Sequence, residues 1–272
     1  MLTDFFYHPR SIEYDFGPKH PLKPERLRRT LALFEACVPG FQPTHPGECD
    51  ENDVLRVHSR EYLDAVKEMS DGAANMCREE MLPWGFGTVD NPRFDGMYEA
   101  SLAYVAATAR AASEVRDGAP LAFGIAGGLH HAQRSRASGF CVFNDPAIAC
   151  SVLKDKFERV AYIDIDLHHG DGVQAIFYDD PTLLTCSIHE TGRTLYPGTG
   201  FADETGAQNS AVNVPLEPGT TGDVWLWAFE NGIMPRVREF APQAVVLQMG
   251  TDPHFLDPLG HLQVAAQEWL GA

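Results

Sequence analysis

The sequence predicts an α/β protein built on a mainly parallel sheet, and three observations predict it. Short apolar runs of strand length alternate with helical patterns through the second half of the chain. Residues able to bind metals or move protons gather just after those runs, where ligands collect in parallel sheets. No internal repeat, low-complexity tract or linker-like stretch interrupts the 272 residues, so a single domain over 1–272 is expected.

Each element has a local reason. Residues 21–37, PLKPERLRRTLALFEAC, predict a helix with Pro24 near its first turn. Residues 59–72 predict a second, opened by a capping Ser59 and stopped by Gly72. The Pro and Gly punctuation of 80–95 predicts a long loop, and the Ala-rich run 96–115 a helix. Strands are then expected at 120–126, 159–167, 182–189 and 244–250. Helices are expected at 143–157, 172–180 and 224–240.

Composition narrows the function classes. A net charge of −17 argues against non-specific binding to nucleic acid and favours cationic ligands. No apolar run is long enough to span a bilayer, and the N-terminus lacks the pattern of a signal peptide. The six scattered cysteines form no C-x-x-C pair and fit reduced thiols in a cytoplasmic protein.

The segment YIDIDLHHGDGV, residues 162–173, raises a problem. It begins as a buried strand yet carries Asp164, Asp166, His168, His169 and Asp171. An unpartnered buried carboxylate costs several kcal/mol, roughly, so something must offset it. Residues two apart share a strand face, which aligns Asp164, Asp166 and His168. Asp166 and His168, nearest the strand end, can reach one metal ion, and Asp252 from another strand end completes three ligands. Three protein ligands plus water is the pattern of a catalytic zinc. Two carboxylates and one imidazole also suit iron(II), cobalt or manganese. Taken alone, D-x-D-x-H also fits, less well, a hydrogen-bonded turn or a magnesium site, and the His130–His131 pair fits a polar loop.

The combination is more specific. GGLHHA (127–132), SGFCVFND (138–145), DIDLHHGDG (164–172), YPGTG (196–200) and GTDPHFLDPLG (250–260) together resemble the zinc-dependent histone deacetylase superfamily. EYDFGPKHPLKPERL (13–27) is similar to the bacterial acetoin-utilisation deacetylase branch. The resemblance implies a three-layer α/β/α fold of the arginase/deacetylase kind. It implies zinc on Asp166, His168 and Asp252, with His130 and His131 as the active-site histidines, partnered by Asp164 and Asp171 respectively. It places Gly139 and Phe140 on one wall of an acyl-lysine tunnel, Tyr196 on the other where the family usually has Phe, and Asp90 at the rim. It also implies a monovalent cation, typically potassium, lined by Asp164, Asp166, His168 and Ser187, and leaves His169 a structural role.

The expected reaction is hydrolysis of acetyl-lysine in proteins, releasing acetate, in the setting of acetoin or acetate metabolism. Three readings compete. An acetylpolyamine amidohydrolase would suit the acidic charge, although that group tends to carry Asn at the place of Asp171. An arginase-like dinuclear manganese hydrolase would need further carboxylate ligands. A catalytically weak acyl-lysine-binding module is the third. The family has a Gly-rich segment ending in an oxyanion-stabilising tyrosine, and the residues after Asp252 contain neither, so the chain reads as a deacetylase fold missing its C-terminal part. Oligomeric state is not legible.

Overall fold

The computed structural model describes residues 4–71 and 76–272, and the chain divides into two compact units, 1–155 and 156–272. The first contains β1 (Asp4–Phe6), α1 (Glu25–Cys37), α2 (Glu51–Val54), α3 (Arg60–Ser70), α4 (Arg78–Met81), α5 (Met97–Asp117), β2 (Ala122–Gly124) and α6 (Asp145–Lys154). β1 and β2 pair in parallel. The alanines of α5, among them Ala100, Ala103 and Ala107, are buried and let α6 approach closely. Ser59 caps α3 as expected, its Oγ accepting the Tyr62 N–H at 3.2 Å. Gly72, expected to stop that helix, lies outside the described residues.

The second unit contains β3 (Val160–Asp164), α7 (Asp171–Phe177), β4 (Leu183–Glu190), β5 (Ala211–Leu216), α8 (Gly222–Ala228), α9 (Met234–Phe240), β6 (Ala244–Gln248) and α10 (Ala266–Trp269). Its sheet has the order β5-β4-β3-β6, and every pair is parallel. All residues of the two central strands are buried, the apolar ones in the core and the polar ones, Asp164, Ser187, His189 and Glu190 among them, toward the carboxyl ends. Ile163, Leu184, Ile188, Trp225, Phe229 and Ile233 are among the side chains of the core.

Several sequence expectations need correction. The stretch 80–95 is not all loop, because α4 ends in it and a 3-10 turn follows at Leu82–Trp84. The helix expected over 224–240 is broken into α8, a π turn at Phe229–Ile233, and α9. Pro235 has no N–H to continue the ladder, and the wider turn absorbs the defect. The strand expected at 120–126 is only three residues long. β1 and β5 were not expected. β5 contains Pro215, which is tolerated because β5 is an edge strand.

Ile188 is fully buried in β4. Ile188→Ala should therefore cost about 2–5 kcal/mol of stability, read as a lower denaturant midpoint at unchanged slope. A cost below about 1 kcal/mol would contradict the packing described.

Candidate active site

The second unit brings three expected ligands together. β3 and β6 are parallel neighbours, with Asp164 opposite Gln248, so their carboxyl ends lie at the same edge of the sheet. Asp166 and His168 follow β3, and Asp252 follows β6. The candidate ligand atoms of Asp166, His168 and Asp252 all lie within 4.8 Å of one another. His168 Nδ1 is 3.2 Å from Asp166 Oδ1 and 3.0 Å from Asp252 Oδ2. Backbone N–H groups anchor both acids, His168 donating to Asp166 at 2.8 Å and Leu167 to Asp252 at 3.0 Å.

A buried and a half-buried carboxylate beside one imidazole make a site short of positive charge. Burial disfavours charge on His168, but the Asp166 and Asp252 carboxylates prevail and push its pKa up to about 10. Burial, then repulsion from Asp166, raises the Asp252 carboxyl. Oxygen donors from two acids and Nδ1 of one histidine, converging in a poorly solvated place, are a donor set that fits a divalent ion.

Two residues outside the expected set shape these ligands. Gln248 donates its amide N–H to Asp166 Oδ2 at 2.9 Å. Gly250 is required by close approach, since a Cβ there would lie 2.0 Å from Asp166 Oδ2. The Tyr196 ring lies 6.4 Å from that of His168, centroid to centroid, and Tyr196 is 39% exposed, so it stands beside the ligand with one side open.

Deeper in β3, Asp164 is fully buried and pairs in register with Ser187 of β4. It accepts from the Tyr162 hydroxyl at 2.6 Å and the Asp166 N–H at 3.0 Å. His189 Nε2 lies 3.0 Å from the Gly200 carbonyl and therefore carries the proton. Its Nδ1 must then accept from the Ser187 hydroxyl, 2.8 Å away, which leaves the Ser187 oxygen lone pairs for another partner. His169 is held by Thr199 at 2.8 Å and by Gln174 at 3.1 Å, and burial lowers its pKa, in keeping with a structural role. Asp171 begins α7.

In the first unit the loop after β2 carries His130 and His131, both buried, with their Nε2 atoms 3.0 Å apart. The loop is pinned by Asn144 and Asp145 at the start of α6. Asn144 donates to the His130 and Ala132 carbonyls at 3.0 and 2.9 Å while capping α6. Asp145 accepts from the Gly128 and Leu129 N–H groups and from Thr108. His58 Nε2 accepts from the Asn144 N–H at 2.9 Å. No local pattern marks His58, because its partners are far along the chain.

Gly139 and Phe140 form the tip of a tight two-residue turn closed by Ser138 and Cys141, with φ of +50° and +70°. These signs match a type I′ hairpin turn. A Cβ on Gly139 would lie 2.4 Å from His131 Cδ2. The Tyr14 hydroxyl donates to the Phe140 carbonyl at 2.7 Å. Asp90 is exposed in the loop before α5.

Residues 20–270 match the histone deacetylase domain, so the chain belongs to that family of hydrolases. Among curated relatives, the acetoin utilization protein AcuC of Bacillus subtilis (strain 168) is 41% identical over 95% of this chain and 68% of its own length. Histone deacetylase clr6 of Schizosaccharomyces pombe is 38% identical over 95% of this chain and 65% of its own. The chain thus spans about two thirds of the length of these relatives. Among solved structures, an HDAC homolog from Aquifex aeolicus superposes with a TM-score of 0.90 at 29% identity, covering 99% of this chain and 74% of that one. An acetylpolyamine aminohydrolase from Burkholderia pseudomallei gives 0.86 at 28% identity, covering 97% and 86%. The α/β deacetylase-like fold expected from the sequence is the fold found. Among the described residues no helix is long and apolar enough to cross a membrane.

Two outcomes follow from the supports of the histidine loop. Gly139→Ala forces the His131 ring to move and strains a positive φ, so it should destabilise by about 1–3 kcal/mol; an unchanged thermal midpoint would contradict the contact. Burial lowers the His58 pKa from 6.5 to about 4, so the folded state keeps it neutral while the unfolded chain protonates it near 6.5. Stability from this group is complete above about pH 6.5 and falls as pH drops towards about 4. His58→Gln should flatten that part of the stability profile, measured by urea unfolding at several pH values.

Proposed function

We propose that this chain is a metal-dependent amidohydrolase that removes acetyl groups from lysine side chains of proteins. The carrying observation is the convergence of Asp166, His168 and Asp252 at the ends of two parallel strands. Those residues would hold a divalent ion, zinc first, with iron(II) or cobalt as substitutes. Bound there, the ion supplies Lewis-acid polarisation of the acyl carbonyl and makes water more acidic.

The chain's own residues do the rest. Water adds to the acetyl carbon and gives its proton to one imidazole of the His130/His131 pair. The C–N bond then breaks as the leaving lysine nitrogen takes a proton from an imidazolium of the pair. The 3.0 Å Nε2–Nε2 contact supports this division, since it needs a proton on one ring and a lone pair on the other. Asp164 would orient His130, and Asp171 would orient His131. Gly139, Phe140 and Tyr196 would line the acyl-lysine tunnel, and Asp90 would accept backbone N–H bonds of a bound peptide. Asp164, Asp166, His168 and Ser187 would line a potassium site; the free lone pairs of the Ser187 oxygen support that assignment. We assign both compact units to one catalytic domain, supported by the single family match that runs across their boundary.

Acetylated polyamines are a second substrate class, favoured by the likeness to the acetylpolyamine aminohydrolase and by the net charge of −17. An acetate-release assay on the metal-loaded chain, with an acetyl-lysine peptide and acetylputrescine side by side, tests the reading. Peptide turnover should dominate, vanish with a chelator and return with zinc. His130→Ala and His131→Ala should each lower turnover by about 10²–10⁴-fold. Faster acetylputrescine turnover would replace the protein-lysine reading, and chelator-insensitive acetate release would overturn the metal-dependent one. Asp90→Ala should weaken peptide substrates more than a small acetyl-lysine reporter, and equal effects would remove the rim role.

A further inference from the structure

The segment before α1 places a buried histidine between the two residues proposed to receive substrate in the first unit. His20 is 6% exposed. Its Nε2 lies 3.1 Å from the carbonyl oxygen of Asp90, and its Nδ1 lies 3.1 Å from the backbone N–H of Leu22. Its ring meets the ring of Phe140 edge-on at 4.5 Å and that of Phe16 at 4.5 Å.

These contacts fix the state of the imidazole. The Leu22 N–H can only donate, so Nδ1 must offer its lone pair. The Asp90 carbonyl can only accept, so Nε2 must carry the proton. Neither nitrogen has a lone pair left for a metal or a substrate proton. His20 is therefore excluded as ligand and as general base, although it lies beside residues of the proposed tunnel.

Its mounting is stiff. Asp15 Oδ1 accepts from the Gly17 N–H at 2.8 Å, and the His20 N–H donates to the Gly17 carbonyl at 3.2 Å. The Lys23 ammonium donates to the carbonyls of Gly17 and Pro18 at 3.2 and 2.6 Å. The turn that carries His20 is thus closed on itself. The groups it touches need support: Asp90 lies in an exposed loop, and Phe140 holds a left-handed backbone unusual for an aromatic residue.

We infer that His20 is a positioning residue for acyl-peptide binding, one imidazole that sets both the Asp90 loop and the Phe140 ring. This rests on the proposed roles of Asp90 and Phe140 and adds the element that couples them. A peptide backbone at Asp90 and an acyl-lysine stem at Phe140 are then registered to each other, so affinity for a peptide depends on His20 more than affinity for a small acyl-lysine does.

Two measurements on the full chain test this. Long-range ¹H–¹⁵N NMR of the histidine rings should show His20 as the Nε2–H tautomer; an Nδ1–H tautomer would overturn the inference whatever the catalytic activity. Binding of a fluorescent acetyl-lysine peptide is then measured by anisotropy for His20→Asn, His20→Gln and Asp90→Ala. Asn keeps an acceptor for the Leu22 N–H but loses the reach to Asp90, so peptide Kd should rise about tenfold, while a small acetyl-lysine ligand in competition weakens about threefold or less. Gln restores a donor at the Nε2 position and should recover most of the peptide affinity. Equal weakening of both ligands by Asn, with no recovery by Gln, would reduce His20 to a purely structural group and overturn the inference. Asp90→Ala separates the two claims. If it leaves peptide Kd unchanged the rim reading fails by itself, and the inference falls with it; if it weakens the peptide while His20→Asn does not, only the inference fails.

Discussion

The structure of the second unit is organised by one electrostatic constraint: two carboxylates and an imidazole held together with little solvent. Burial disfavours the charge on Asp252, and the Asp166 carboxylate repels it. A proton on His168 relieves part of that repulsion, and a divalent ion would relieve more of it. The constraint explains why the strands must be parallel neighbours. Parallel direction puts the residues following β3 and β6 at one edge, and adjacency puts them side by side there. It also explains why Gly250 follows β6, where any side chain would occupy the place of the Asp166 carboxylate.

The same logic governs the buried polar groups around it. Each histidine whose tautomer can be read has it set by a fixed donor or acceptor. His189 is tied to the Gly200 carbonyl, and His58 accepts from the Asn144 N–H. Such ties remove alternative protonation states before any substrate arrives. That is how preorganisation is built from neutral hydrogen bonds of about 1 kcal/mol each. In the first unit, Asn144 and Asp145 do the corresponding work on the backbone of the histidine loop. A helix start and a site support are there one and the same structure.

Much of this was legible in the sequence because it depends on short periods. The alternation in YIDIDLH marks a strand that ends at Asp164 and delivers Asp166 and His168 just beyond it, and strand-end placement brings in Asp252. What was not legible depends on contacts between distant residues. Gln248 reads as the end of an apolar strand, and only the β3–β6 register puts its amide on Asp166. Pro215 hides β5 because a proline argues against a strand unless the strand lies at an edge. His58 has neighbours along the chain that suggest nothing, and its role appears only when residues 58 and 144 meet.

The central claim is that Asp166, His168 and Asp252 form one divalent-metal centre. Anomalous X-ray diffraction at the zinc absorption edge, on crystals of the zinc-loaded chain, tests it most directly. The account predicts one fully occupied peak in contact with a carboxylate oxygen of each aspartate and with His168 Nδ1. A zinc peak held by other residues, with these three hydrogen-bonded only to one another, would contradict it.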